Sequence, residues 1–356
     1  MPDPALDVRP DLAQVAPYLS PQAPARYRMN TNESPYAPPE ALVNEVAEEI
    51  RSIALNRYPD RDAGRLYEAI SSHMKWPRDG LWVANGSNEV FMHLLLAFGG
   101  PGRKAMVFEP TYSLHSLIPR IAGSDVVVAR RGDDLHIDVE RARAEIGMHQ
   151  PEIIIVCSPN NPTGDTEPMS TVEALLEVAP GLVVVDEAYI EFAEPEDSVM
   201  SLLPGRPNLV VTKTFSKAWR LAGVRIGYML SAPELVTSLA RVRLPYHLSA
   251  ITQVVGEAAI RHSQETLGLV RAIATERDRI ARGLKGLGVQ CFPSRANFVL
   301  FRVVDAPAVW EALIEADVLI RRYDDVPGLE GCLRVTAGLP EETDAFLGAM
   351  KRVLGD

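Results

Sequence analysis

The stretch Thr214–Gly227 reads TFSKAWRLAGVRIG and follows an apolar run, NLVVT at 208–212. A lysine set among small, aromatic and apolar residues just after such a run is either a surface charge or the most reactive group in the chain. That choice at Lys217 decides how the rest is read. Arg225 would lie two turns beyond Lys217 if the segment were helical. Gly223 and Gly227 argue instead for a short helix that gives way to a strand, RIGYML at 225–230.

NLVVT and RIGYML join LWVA (81–84), AMVFE (105–109), DVVVA (125–129), IIIVC (153–157) and LVVVDE (182–187), with helix-length segments between most of them. Continuous apolar runs of this kind predict βα units and a largely parallel sheet covered on both faces. From about Pro233 the texture changes. A helical pattern over 264–288 is followed by short strands at 297–303 and 332–337, with helices around 306–316 and 340–353. The expected fold class is therefore α/β: a large domain with a mostly parallel seven-stranded sheet, a smaller α+β domain, and a proline-rich N-terminal arm. The expected boundaries are 1–40 for the arm, packing with the small domain, then 41–244 and 245–356.

At 356 residues the chain exceeds what one hydrophobic core usually serves. Its 47% apolar and 23% charged residues argue against global disorder. A formal charge of −11 opposes non-specific attraction to nucleic acid. No apolar run reaches membrane-spanning length, and MPDPALDVRPD lacks the basic and apolar regions of a signal peptide, so the cytoplasm is expected. Cys157, Cys291 and Cys332 are isolated, in neither a disulfide nor a metal-ligand spacing, and read as core residues.

In an open parallel sheet, ligands lie beyond the carboxyl ends of the strands. There the sequence offers NGSNEV (85–90), in which Gly86 permits a tight turn and Ser87 and Asn88 supply donors where a helix begins. It also offers Tyr112 in PTYSLH, two asparagines in SPNNPTG (158–164), and Asp186 with Tyr189 after LVVV. Each has an ordinary explanation as a capped helix, a packing aromatic, a turn or a capping acid. Together, a phosphate cradle (Gly86, Ser87, Ser216, Arg225), a ring-facing tyrosine, an asparagine, a carboxylate and Lys217 are what pyridoxal phosphate requires.

TFSKAWRLAGVRIG also resembles the lysine-attachment signature of the class I/II aminotransferases. NTNESPYAPP, NRYPDRDAGRL, EPTY, SPNNPTG, VVVDEAYIEF, LPYHLSA, SRANFVLF and CLRVTAG extend the resemblance, from Tyr18 onwards, to the histidinol-phosphate aminotransferase family. The resemblance implies the type I fold of pyridoxal-phosphate enzymes and a homodimer with shared active sites. Lys217 would bond to the cofactor, Asp186 would hold its pyridinium proton, Tyr189 and Asn161 would contact O3′, and Tyr112 would stack on the ring. Ser87, Asn88, Thr214, Ser216, Arg225 and the backbone at Gly86 would hold the phosphate, with Tyr58 reaching across from the partner subunit. Arg334 would take the substrate's carboxylate or phosphate, helped by Asn161, Arg321 and Tyr18; Arg321 is chosen over Arg322 on its spacing to Arg334. The implied reaction is transamination of L-histidinol phosphate with 2-oxoglutarate, a step of histidine synthesis. The alternatives are an aromatic amino-acid aminotransferase and, further off, a threonine-phosphate decarboxylase. Arg295 stands where an acidic or small residue is expected, and Lys213 is given no role.

Overall fold

A computed structural model describes residues 8–13, 15 and 23–355. Seven strands form one sheet in the order Leu81–Ala84, Gly227–Leu230, Leu209–Thr214, Leu182–Asp186, Ile153–Cys157, Lys104–Glu109, Asp125–Arg130. Gly227–Leu230 runs antiparallel to both of its neighbours, and the remaining pairings are parallel. The apolar runs are continuous because both faces are covered: Val183, Val185 and Val211 enter one core, and Val184 and Val210 enter the opposite one. The register pairs Cys157 with Asp186 and Asp186 with Thr212, so the carboxyl ends of the central strands share one rim.

The second lobe is a four-stranded antiparallel sheet, Arg321–Arg322, Cys332–Thr336, Phe298–Arg302, Gln290–Cys291. The helices Val270–Gly286, Ala306–Glu315 and Pro340–Leu354 pack on it through residues such as Ile280, Leu313 and Phe346. In the arm, Tyr27–Arg28 pairs in parallel with Val318–Leu319, and Met29 is buried in this second core. The helix Ala250–Arg261 lies beyond the expected boundary at 244/245, yet it buries Val255, Ala258 and Ala259 in the first core beside Leu66 and Ile70. Leu267 packs against both cores.

Three local expectations change. The helical pattern over 264–288 is two helices, Ser263–Leu267 and Val270–Gly286. The break has a cause: Arg220 donates from Nη2 and Nε to the carbonyls of Glu265 (2.7 Å) and Thr266 (2.9 Å), which a continuous helix would use itself. The strand expected at 225–230 begins at Gly227, because Arg225 has φ +60° after a single 3₁₀ turn at Ala222–Val224. The strand read as ending at Thr212 continues to Thr214, which makes Lys213 a strand residue. Among the described residues no helix is long and apolar enough to cross a membrane.

Candidate active site

A cleft of about 530 Å³ opens between the strand-end rim and the second lobe. Lys217, Asp186, Tyr189, Asn161 and Tyr112 line it, as do Ser87, Ser216, Arg225 and three arginines of the second lobe. Another hollow, about 590 Å³, lies beside Trp82, Tyr67 and Arg243 and contains none of the site residues read from the sequence.

Lys217 follows the end of the Leu209–Thr214 strand, and its Nζ donates to the carbonyl of Thr31 at 3.0 Å. Its pKa falls from 10.5 to about 8, first because burial disfavours the ammonium and then because Arg334 repels it; Arg225 repels it less, and Glu33 and Asp186 oppose the shift. Although Arg225 is nearer in sequence, the arginine of the second lobe matters more.

Asp186 is buried at the end of its strand. Its Oδ1 accepts from Thr212 Oγ1 at 3.1 Å, and Oδ2 lies 3.0 Å from His115 Nε2. Neither partner was foreseen. Thr212 is the register neighbour of Asp186, and His115 follows Tyr112 by three residues, with the two rings edge to face at 5.4 Å. Cys157 is close enough that it, His115 and Asp186 place ligand-type atoms within 4.8 Å of one another. Burial pushes the Cys157 thiol well up.

The cradle depends on bare backbone. Gly86 has φ +85°, and a Cβ there would stand 2.6 Å from Arg225 Nη2. A Cβ on Gly227 would stand 2.2 Å from the amide nitrogen of Ser87. The helix Ser87–Phe98 starts at this point, and both Ser87 and Asn88 line the cleft. Arg225 Nη1 donates to Ser216 Oγ at 3.2 Å, and Thr214 Oγ1 donates to the same oxygen at 3.0 Å. A helix N-terminus, a guanidinium and two hydroxyls make a receptor for a phosphate dianion. With a depressed lysine, a buried carboxylate and an aromatic ring on the same cleft, the residues fit pyridoxal phosphate.

Toward the second lobe, Arg334 is 4% exposed. Its Nη1 donates to Asn161 Oδ1 and, at 2.9 Å, to the hydroxyl of Tyr323; Nη2 donates to the carbonyl of Asn30 at 2.7 Å. Tyr323 was not foreseen. Arg321 and Arg322 both line the cleft, but the guanidinium of Arg322 is held by both oxygens of Asp324 at 2.8 Å and lies over Trp310. The phenol oxygen of Tyr189 accepts from Asn32 Nδ2 at 2.9 Å and from Asn161 Nδ2 at 3.4 Å, and burial pushes its pKa up.

Other expected residues lie elsewhere. Tyr58 is 79% exposed, stacked on Tyr246 at 4.5 Å, and outside the cleft lining. Tyr18 lies outside the described residues. Arg295 gains an account: its amide donates to Gly164 O at 2.7 Å, and its guanidinium lies 3.6 Å from Asp197 and 3.9 Å from Asp165, so it ties the second lobe to the SPNNPTG turn.

The model of the family described as aminotransferase class I and II matches residues 27–349. A histidinol-phosphate aminotransferase of Frankia casuarinae is 46% identical over 98% of this chain and 90% of its own length. One of Corynebacterium efficiens is 44% identical over 98% and 95%. The crystal structure of histidinol-phosphate aminotransferase from Sinorhizobium meliloti, in complex with pyridoxal-5′-phosphate, is similar at a TM-score of 0.90 and 25% identity, covering 99% of this chain and 98% of that one. The chain belongs to the class I and II aminotransferases and, within them, to the histidinol-phosphate aminotransferase family.

Proposed function

We propose that this chain uses pyridoxal 5′-phosphate to move the amino group of L-histidinol phosphate to 2-oxoglutarate, giving imidazole-acetol phosphate and glutamate in histidine biosynthesis. The observation that carries the reading is the depressed amine of Lys217, held in one cleft with the Asp186 carboxylate, Ser87, Ser216, Arg225 and Arg334. The near-full-length likeness to histidinol-phosphate aminotransferases favours this substrate over an aromatic amino acid or threonine phosphate.

When bound, pyridoxal phosphate supplies an aldehyde for the substrate amine and a ring that takes up the electrons left when the substrate carbon loses its proton. Ser87, Asn88, Thr214, Ser216 and Arg225 would anchor its phosphate, and Tyr112 would cover its ring. Asp186, fixed by Thr212 and His115, holds a proton at the ring nitrogen. Tyr189 and Asn161 address the ring oxygen. Lys217 is the covalent anchor and the base that takes the proton from the substrate carbon and returns it, a task suited to an amine with a pKa of about 8. Arg334, with Arg321 and Tyr18, receives the substrate's phosphate or the carboxylate of the keto acid, since a guanidinium fork suits both anions.

The active form is a homodimer in the cytoplasm, with Tyr58 completing the partner's cradle. Exposed Tyr58, Leu55 (75%) and Leu244 (73%) support such an interface. The test is a purified-protein assay with histidinol phosphate, phenylalanine and threonine phosphate as donors and 2-oxoglutarate as acceptor. Turnover of phenylalanine with none of histidinol phosphate would overturn the substrate assignment, and release of carbon dioxide from threonine phosphate would overturn the reaction class.

A further inference from the structure

Asn32 has a left-handed backbone at φ +56°, is 1% exposed, and belongs to none of the roles assigned above. It lies in the arm, beside the carbonyl of Thr31 that accepts from Lys217. All of its polar groups are engaged. Its amide N–H donates to Thr336 Oγ1 at 3.0 Å, and the Thr336 hydroxyl donates back to Asn32 Oδ1 at 3.0 Å. Its carbonyl accepts from Asn297 Nδ2 at 3.1 Å, and its own Nδ2 donates to the phenol oxygen of Tyr189 at 2.9 Å.

This network sets which way round the side-chain amide lies. Thr336 Oγ1 already accepts from the Asn32 backbone, and its proton goes to Oδ1. Turned the other way, the amide would set its NH₂ against Thr336 Oγ1 and remove the acceptor of that buried hydroxyl proton, so the side chain presents its NH₂ group, not its oxygen, to Tyr189. A phenol oxygen that accepts from Asn32 cannot also give its proton to Asn32. Asn161 presents Nδ2 to the same oxygen at 3.4 Å, again as a donor. With donors on that side, the phenolic proton is left to the cleft that Tyr189 lines. Burial keeps that proton on Tyr189, because the phenolate is disfavoured.

We propose that Asn32 is a positioning residue that aims the Tyr189 proton at the ring oxygen of the cofactor, so that the arm and the second-lobe strand carrying Thr336 together tune the cofactor. The inference rests on the function proposed above. A hydrogen bond donated to a ring oxygen favours its anionic form, so losing it raises the pH at which the lysine-bound cofactor titrates.

The experiment is a pH titration of the visible absorbance of holoenzyme for wild type, Asn32→Gly, Tyr189→Phe and the double variant. Glycine accepts the φ of residue 32 without strain, and thermal unfolding checks that each protein is folded. The expected result is an upward move of the midpoint by roughly one pH unit in Tyr189→Phe, a similar move in Asn32→Gly, and no further move in the double variant. A midpoint unchanged in Asn32→Gly but moved in Tyr189→Phe overturns the role of Asn32. Equal Asn32→Gly shifts with and without the phenol overturn it too, since the effect then does not pass through Tyr189. A midpoint that Tyr189→Phe leaves in place counts instead against the role of Tyr189 in the proposed function.

Discussion

Lys213 and Lys217 stand four residues apart, the first buried in a strand and the second half-buried just past its end, and their ionisation is displaced in opposite directions. Burial works against the charge of each. At Lys213, which is 5% exposed, Glu187 and Glu191 more than offset it; Nζ is 2.9 Å from Glu187 Oε2, and the pKa is raised. At Lys217 the carboxylates of Glu33 and Asp186 are outweighed by burial and by Arg334 and Arg225, and the pKa drops to about 8. Solvent exclusion alone thus does not make a lysine reactive; the sign of the surrounding charge decides between a structural cation and a nucleophile.

The largest effect expected is at Lys217. Lys217→Ala should abolish the visible band of the bound cofactor and cut turnover by on the order of ten-thousand-fold. A variant that kept the band would erase the distinction between the two lysines. Lys213→Met should do the reverse, keeping the band while leaving Glu187 buried and unpaired. Urea unfolding of that variant should show a loss of about 3 kcal/mol.

A smaller effect concerns how the amine is tuned. Only neutral Lys217 attacks an aldehyde, so capture of pyridoxal phosphate by the apoenzyme should speed up as pH rises and level off above about 8. Arg334→Gln removes the strongest cationic contribution and should move that midpoint upward by up to about one unit. Stopped-flow capture rates across pH measure it, and a downward shift would show that Arg334 acts otherwise.

The smallest effect lies beside Lys213. Burial raises the pKa of Glu191, partly offset by Lys213, and its Oε2 has no hydrogen-bond partner among the described residues. A carboxyl whose folded pKa is raised binds its proton more tightly when folded. Its contribution is complete below the ordinary value of 4.5 and is lost as pH rises through the higher folded value. Glu191→Gln should flatten that decline, changing stability at neutral pH by no more than about 1 kcal/mol. Unfolding curves at several pH values would reveal an unaltered slope if Glu191 is irrelevant to the pair.

The seven strands of the sheet were legible because runs such as IIIVC and LVVVD are buried on both faces, and strand ends locate a ligand in such a sheet. Lys217, Asp186 and Arg225 were legible for the same reason, since Asp186 ends an apolar run, Lys217 follows one and Arg225 leads into one. His115, Thr212, Tyr323 and Asn32 were not. Each matters through a hydrogen bond to a residue distant in sequence, and nothing in its own neighbours announces that bond. Arg220 escaped notice likewise: it breaks a helix more than forty residues away by taking two of its carbonyls.

Gly227–Leu230 lies between Leu81–Ala84 and Leu209–Thr214 in the sheet, and Gly227 fits against the amide of Ser87 without room for a side chain. Half of the phosphate cradle is thus synthesised early, at residues 86–88, and waits for the other half at 216 and 225. A nascent chain that ends before Arg225 has a helix terminus but neither that guanidinium nor the strand that presses it home. An amino-terminal fragment that stops short of Arg225 therefore carries only the first half of this arrangement.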